Sequence, residues 1–120
     1  MLYTYKATLN KVLDGDTIDI CIDLGFRANI NVRARLLHVD TPEIFHPKSP
    51  EEKEKGLKAK EFTKNFIESA MTDSGYIIVK SSKEDDPLGT GKYGRWLIEV
   101  LNPKTKELLH EQLISNNLIK

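Results

Sequence analysis

Three short segments of this sequence gather carboxylates and arginines. Asp14-Gly15-Asp16-Thr17 falls between two strand-like runs. Taken alone it reads as a β-turn, because Asp and Gly are standard turn residues. Arg35-Leu36-Leu37-His38-Val39-Asp40-Thr41-Pro42-Glu43 is a strand that exits around a proline and delivers Asp40 and Glu43. On its own it is a strand end with solvated acids. Lys92-Tyr93-Gly94-Arg95 leads into a later strand and in isolation is an exposed basic segment.

Taken together, the three supply the parts of a phosphodiester-hydrolysing site. Asp16 and Asp40, at strand ends, are hard oxygen ligands that suit Ca²⁺ or Mg²⁺ rather than zinc. The single Cys and the scattered His38, His46 and His110 make no Cys/His ligand set, so the histidines are expected to be structural or exposed. Glu43 lies just beyond Asp40, where it can orient or deprotonate a water. Arg35 and Arg95 carry planar forks that match phosphate oxygens and stay charged at any relevant pH. A metal, a base and two arginines suffice for in-line attack on a phosphodiester.

These residues need rigid elements to hold them. Ile18, Ile20, Ile22 and Leu24 alternate with Asp19, Cys21 and Asp23, the pattern of a half-buried strand, and Gly25 marks a turn. Ile30, Val32, Ala34 and Leu36 then alternate with Asn31, Arg33 and Arg35, which puts both arginines opposite the aliphatic face. Ser49 caps a helix, with Pro50 in its first position and Glu52 completing a capping box. Ala59, Phe62, Phe66, Ile67 and Ala70 keep helical spacing up to Ser74-Gly75. Tyr76–Val79 and Trp96–Leu101 read as strands, with Trp96 packed in or beside the sheet, and residues 82–91 as a loop. Thr105 is the expected cap of a last helix carrying Leu108, Leu109, Leu113 and Ile114, which ends at Asn116-Asn117. Many short strands with few helices predict an α+β fold, a small barrel with helices packed on it.

At 120 residues the chain is expected to form one domain, 1–120. No apolar run approaches the ~18 residues of a membrane span. The opening Met1-Leu2-Tyr3-Thr4-Tyr5-Lys6 has no apolar core of a signal peptide, from which a cytoplasmic location is expected. Cys21 has no partner for an internal disulfide. With 18 basic and 18 acidic residues the net charge is zero, which argues against a general positive field for nucleic acid and leaves room for a local one.

The three segments, in this order and with a helix between the second and third, resemble the signature of the staphylococcal (micrococcal) nuclease, or thermonuclease, family. The resemblance runs from about Tyr5 to Lys120, and Asp23-Leu24-Gly25-Phe26 is similar to a segment of phage and intracellular bacterial members. It implies a five-stranded OB-fold Greek-key β-barrel with two helices packed on it, a fold that binds oligonucleotides on one face. It also implies that Asp16, Asp40 and the backbone carbonyl of Thr41 bind Ca²⁺. Glu43 would serve as general base or water-positioner. Arg35 and Arg95 would hold the scissile phosphate, while Lys92 and Tyr93 would contact a neighbouring one. Arg33 shares a face with Arg35, but the register of the motif selects Arg35.

The expected activity is calcium-dependent endonucleolytic cleavage of DNA and RNA that leaves 3′-phosphate ends. A nucleic-acid-binding OB module without catalysis and a protein-interaction domain on the same scaffold are the alternatives. Inactive relatives lose one or more of the site's carboxylates or arginines, and here Asp16, Arg35, Asp40, Glu43 and Arg95 are all present.

Overall fold

The computed structural model describes residues 3–81 and 96–120. The expected loop at 82–91 and the segment Lys92-Tyr93-Gly94-Arg95 lie outside the described residues. The elements in chain order are β1 (Thr4–Asp14), β2 (Thr17–Gly25), β3 (Ala28–Leu36), α1 (Pro50–Ser74), β4 (Ile77–Ser81), β5 (Trp96–Leu101) and α2 (Leu109–Ser115). The strands close into a barrel in the order β1-β2-β3-β5-β4. β3 pairs with β5 in parallel, and the other pairs are antiparallel. The α+β barrel with two helices therefore has the OB-type topology that the motifs imply.

The period-2 alternation of the sequence becomes the inside and outside of this barrel. Ile18, Ile20, Ala34, Leu36, Ile77, Val79, Ile98 and Val100 are buried in the interior. Helix α1 adds Ala59, Ile67 and Ala70 to the same core, and α2 adds Leu109 and Leu113. Burying a side chain of this size stabilises by roughly 1.5–3 kcal/mol before the ordering entropy is counted. Trp96 is 39% exposed and lines an apolar recess with Tyr3 and Tyr5 at the barrel rim.

Ser49 caps α1 as expected, its hydroxyl accepting from the Glu52 N–H at 3.1 Å. The reciprocal half of the capping box is replaced. The Glu52 carboxylate accepts from the N–H groups of Glu43 (3.3 Å) and Lys48 (3.4 Å). The loop before α1 folds back over its first turn, and its free N–H groups take the carboxylate. The helix closes at Gly75, whose left-handed backbone (φ 82°) directs its N–H to the Met71 carbonyl.

The expected cap of the last helix needs correcting. Helix α2 starts at Leu109, with Leu108 in the cap position and no side-chain cap. Asn102 instead organises a turn, its side-chain oxygen accepting from Lys104 and Thr105 N–H groups at 2.9 and 3.3 Å. The Thr105 hydroxyl accepts from Glu107 N–H within that turn. Leu108 makes a β-bridge with Leu101, which keeps the backbone extended until Leu109.

Candidate active site

The β1–β2 turn is tightened by its own side chains. The carboxylate of Asp14 accepts from the N–H of Asp16 at 3.1 Å, and the Asp16 carbonyl accepts from Leu36 N–H at 2.8 Å. The second bond ties the turn to the end of β3. One carboxylate oxygen of Asp16 accepts from the Thr17 hydroxyl at 3.2 Å, and the other from the Thr41 N–H at 3.1 Å. A buried carboxylate held this way on both oxygens cannot rotate freely, so its orientation is fixed.

Arg35 reaches this point from β3, where it pairs with Thr17. Its Nη2 lies 3.5 Å from Asp16 Oδ2 and makes a closer ion pair with Asp40 Oδ1. Its Nη1 donates to the Leu36 carbonyl at 3.3 Å. Two carboxylates from separate segments thus converge on one guanidinium. They differ in setting, since the Asp16 side chain is 10% exposed and that of Asp40 is 62% exposed.

The segment after β3 is wedged between the β1–β2 turn and α1. Thr41 is buried, and its hydroxyl has no hydrogen-bond partner. A Cβ on Gly15 would meet Thr41 Cγ2 at 2.7 Å, and one on Gly56 would meet the Pro42 carbonyl at 2.7 Å. Only glycine permits either approach. On the far side, the hydroxyl of Thr63 in α1 donates to the Gly15 carbonyl at 2.7 Å.

Glu43 is fixed at its backbone by Glu52, and its carboxylate faces Lys120 Nζ at 3.3 Å. It lines a surface recess of about 380 Å³ together with Asp14, Thr17, Arg33, Phe45 and His46. Asp14 is a titratable group of this recess to which the sequence reading gave no role. Burial, then the side-chain hydrogen bond and charge of Asp16, push its carboxyl up to about 7, against the opposing effect of the Asp16 N–H. The signal was the Asp-Gly-Asp spacing itself, which sets two acids two residues apart in a tight turn.

Arg33 has a different fate from Arg35. Its fork pairs with Asp19, the residue opposite it on β2, at 2.9 and 3.2 Å. This bond to Arg33 holds the Asp19 carboxyl below the usual carboxylate range. Arg33 is exposed as expected, but its donors are engaged.

Asp16, Arg35, Asp40 and Thr41 are therefore brought together, with Glu43 on the same loop. Lys92, Tyr93 and Arg95 lie outside the described residues. Trp96, which follows Arg95 in sequence, pairs with Ala34, the neighbour of Arg35. The donor set is all oxygen, acidic and convergent on one cation. Negative charge from Asp16 and Asp40 exceeds that of the single guanidinium. Such a set fits Ca²⁺, which tolerates irregular oxygen shells.

A closed five-stranded barrel of this topology, with acids and an arginine where the first turn meets the exit of β3, is an OB-fold protein. The family model described as staphylococcal nuclease homologue matches residues 33–120, and the chain belongs to that family. The matched stretch contains Arg35, Asp40, Thr41, Glu43, Lys92, Tyr93 and Arg95. Asp16 precedes it and joins the cluster through its bonds to Thr41 and Arg35.

Proposed function

We propose that this protein is a calcium-dependent endonuclease that hydrolyses phosphodiester bonds of DNA and RNA and leaves 3′-phosphate and 5′-hydroxyl ends. The observation that carries this reading is the convergence of Asp16 and Asp40 on the Arg35 guanidinium. Membership of the staphylococcal nuclease homologue family supports it.

Asp16, Asp40 and the Thr41 carbonyl would hold the ion. Bound there, Ca²⁺ supplies positive charge to the phosphate under attack. Arg35 exchanges its carboxylate partners for phosphate oxygens, and its planar fork meets the charge that develops on them. Arg95 supplies a second fork, and Lys92 and Tyr93 contact an adjacent phosphate. Glu43 orients the attacking water and accepts its proton as the P–O5′ bond breaks, and the departing 5′-oxygen takes a proton from solvent to give the 5′-hydroxyl end. The resulting contacts are to phosphate, so they carry little sequence information. Unpaired strands are cut fastest, because an open strand enters an OB groove more readily than a duplex.

The deciding experiment incubates the protein with single-stranded DNA, duplex DNA and RNA, with Ca²⁺, Mg²⁺ or EGTA. Cleavage with Ca²⁺ that EGTA abolishes is expected, with end-labelled products bearing 3′-phosphates. Full activity in EGTA, or 5′-phosphate products, would refute the assignment. Strand binding without cleavage under any metal would make the protein a binding module instead.

A further inference from the structure

His38, Glu99 and His110 come from three places in the fold: the exit of β3, the middle of β5 and the first turn of α2. The sequence offered no spacing that linked the two histidines. In the folded chain their ring centroids lie 5.0 Å apart, tilted by 49°. His38 Nε2 is 4.0 Å from Glu99 Oε1. One ligand atom from each of the three residues lies within 4.8 Å of the others.

His110 is the most informative of the three. It is only 8% exposed, and its Nδ1 is buried without a hydrogen-bond partner. Buried polar atoms of native proteins are nearly always satisfied, so an orphaned imidazole nitrogen calls for a partner.

We propose that His38, Glu99 and His110 form a second metal site, which takes a borderline divalent transition ion, specifically Zn²⁺. Two imidazoles and one carboxylate, with a fourth position open to water, are a donor set of zinc rather than of calcium. It is chemically distinct from the all-oxygen cluster of Asp16 and Asp40. Around a tetrahedral zinc the donor atoms sit about 3.3 Å apart, so the present spacing closes with small side-chain rotations. Two of the three side chains have room for them, being exposed to 50% (His38) and 22% (Glu99). Bound zinc would tie α2 to the segment between β3 and Asp40, two residues beyond His38. The site would therefore brace the loop that carries the calcium ligands.

The test uses the full chain stripped with EDTA and titrated with Zn²⁺ by calorimetry, and with Co²⁺ followed by its visible absorption. One Zn²⁺ per chain, a raised melting temperature and the visible bands of four-coordinate Co²⁺ are expected. His38→Ala, Glu99→Gln and His110→Gln should each weaken Zn²⁺ binding at least about tenfold. His46→Ala and Asp40→Asn should leave it unchanged. If His110→Gln fails to fold, His38→Ala, at a half-exposed position, decides the matter. Zn²⁺ binding that survives His38→Ala, binding that is lost in Asp40→Asn, or absence of a stoichiometric site would each overturn the proposal.

Discussion

Lys120 and Glu43 form an ion pair across 77 positions of sequence, Nζ to Oε1 at 3.3 Å. The backbone of Lys120 is anchored close by, its N–H donating to the Asp40 carbonyl at 2.8 Å. Both side chains of the pair are nearly half exposed, 47% and 46%, so water screens the attraction. Exposed pairs contribute about 0–1 kcal/mol. Lys120→Met keeps the backbone bond and removes the ammonium. Its melting temperature is expected to stay within about 2 °C of the parent, and its kcat within about threefold. Thermal melts and steady-state kinetics check this. A larger loss of turnover would make Lys120 a positioning residue for Glu43.

Arg35→Lys separates charge from geometry. The lysine keeps the cation between Asp16 and Asp40 but loses the planar fork. If the fork grips the transition state more tightly than the bound strand, the loss falls on kcat rather than KM. A fall on the order of 10²–10³ in kcat is expected. Unchanged kinetics would remove Arg35 from the reaction.

Asp40→Asn and Glu43→Gln should divide binding from turnover. Asp40 is proposed to touch the ion, so its amide variant is expected to weaken Ca²⁺ binding in calorimetric titration. Glu43 is held by Glu52 and Lys120, outside the cluster around Arg35. Its amide variant keeps the size and the backbone bond, so Ca²⁺ affinity should be largely intact while turnover falls by about 10²-fold or more. If both variants lose calcium equally, the division of roles fails.

Asp14 gives the pH prediction. Its carboxyl is pushed up to about 7 in the folded chain, from an ordinary value of 3.8. The folded state then holds this proton more tightly than the unfolded state. Its contribution is fully present below about pH 4 and is lost as pH rises through about 7. Asp14→Asn removes the ionisation and can still accept from Asp16 N–H. In metal-free buffer at pH 8 the variant should be more stable, by on the order of 1–2 kcal/mol after discounting for screening of a group still partly open to water. The gap should vanish near pH 4. Urea unfolding with EDTA at pH 4, 6 and 8 measures it, and a gap independent of pH would contradict the assignment.

How legible these features were depended on whether their physics is local. The alternation in β2 and β3 and the spacing in α1 are local patterns, and the elements appear where those patterns put them. Asp16 and Asp40 stood out because they sit in short motifs with unusual residue pairings, and the fold brings both to Arg35. What escaped depends on contacts between distant segments. The Arg33–Asp19 pair follows from the register of β2 against β3, which no single strand encodes. Glu52 left its expected role in the capping box because the Glu43 and Lys48 N–H groups, brought in by tertiary folding, compete for it. Thr105 lost its cap to the β-bridge of Leu108 with Leu101. The approach of His38 to His110 required the whole barrel and α2 to be in place.

Gly56 offers a test of positioning from outside the chemistry. It lies in α1, where replacing glycine by alanine ordinarily gains about 1 kcal/mol of helix propensity. Here an added Cβ would stand 2.7 Å from the Pro42 carbonyl, 3.0 Å from Ile44 Cγ1 and 3.2 Å from the Glu43 carbonyl. The two carbonyls belong to the backbone of the loop that carries Thr41 and Glu43, so relief requires that loop to move away from α1. Overpacking of this kind costs about 1–3 kcal/mol, which outweighs the propensity gain. Gly56→Ala is therefore expected to be less stable than the parent. A displacement of the loop by even a fraction of an ångström misaims Glu43, so kcat should fall by roughly ten- to a hundredfold. Leu57→Ala, at the adjacent exposed position, should leave kcat near the parental value. Melting temperatures and kcat for the two variants decide the point. A Gly56→Ala variant that is stabilised and fully active would show that the loop does not depend on its contact with α1.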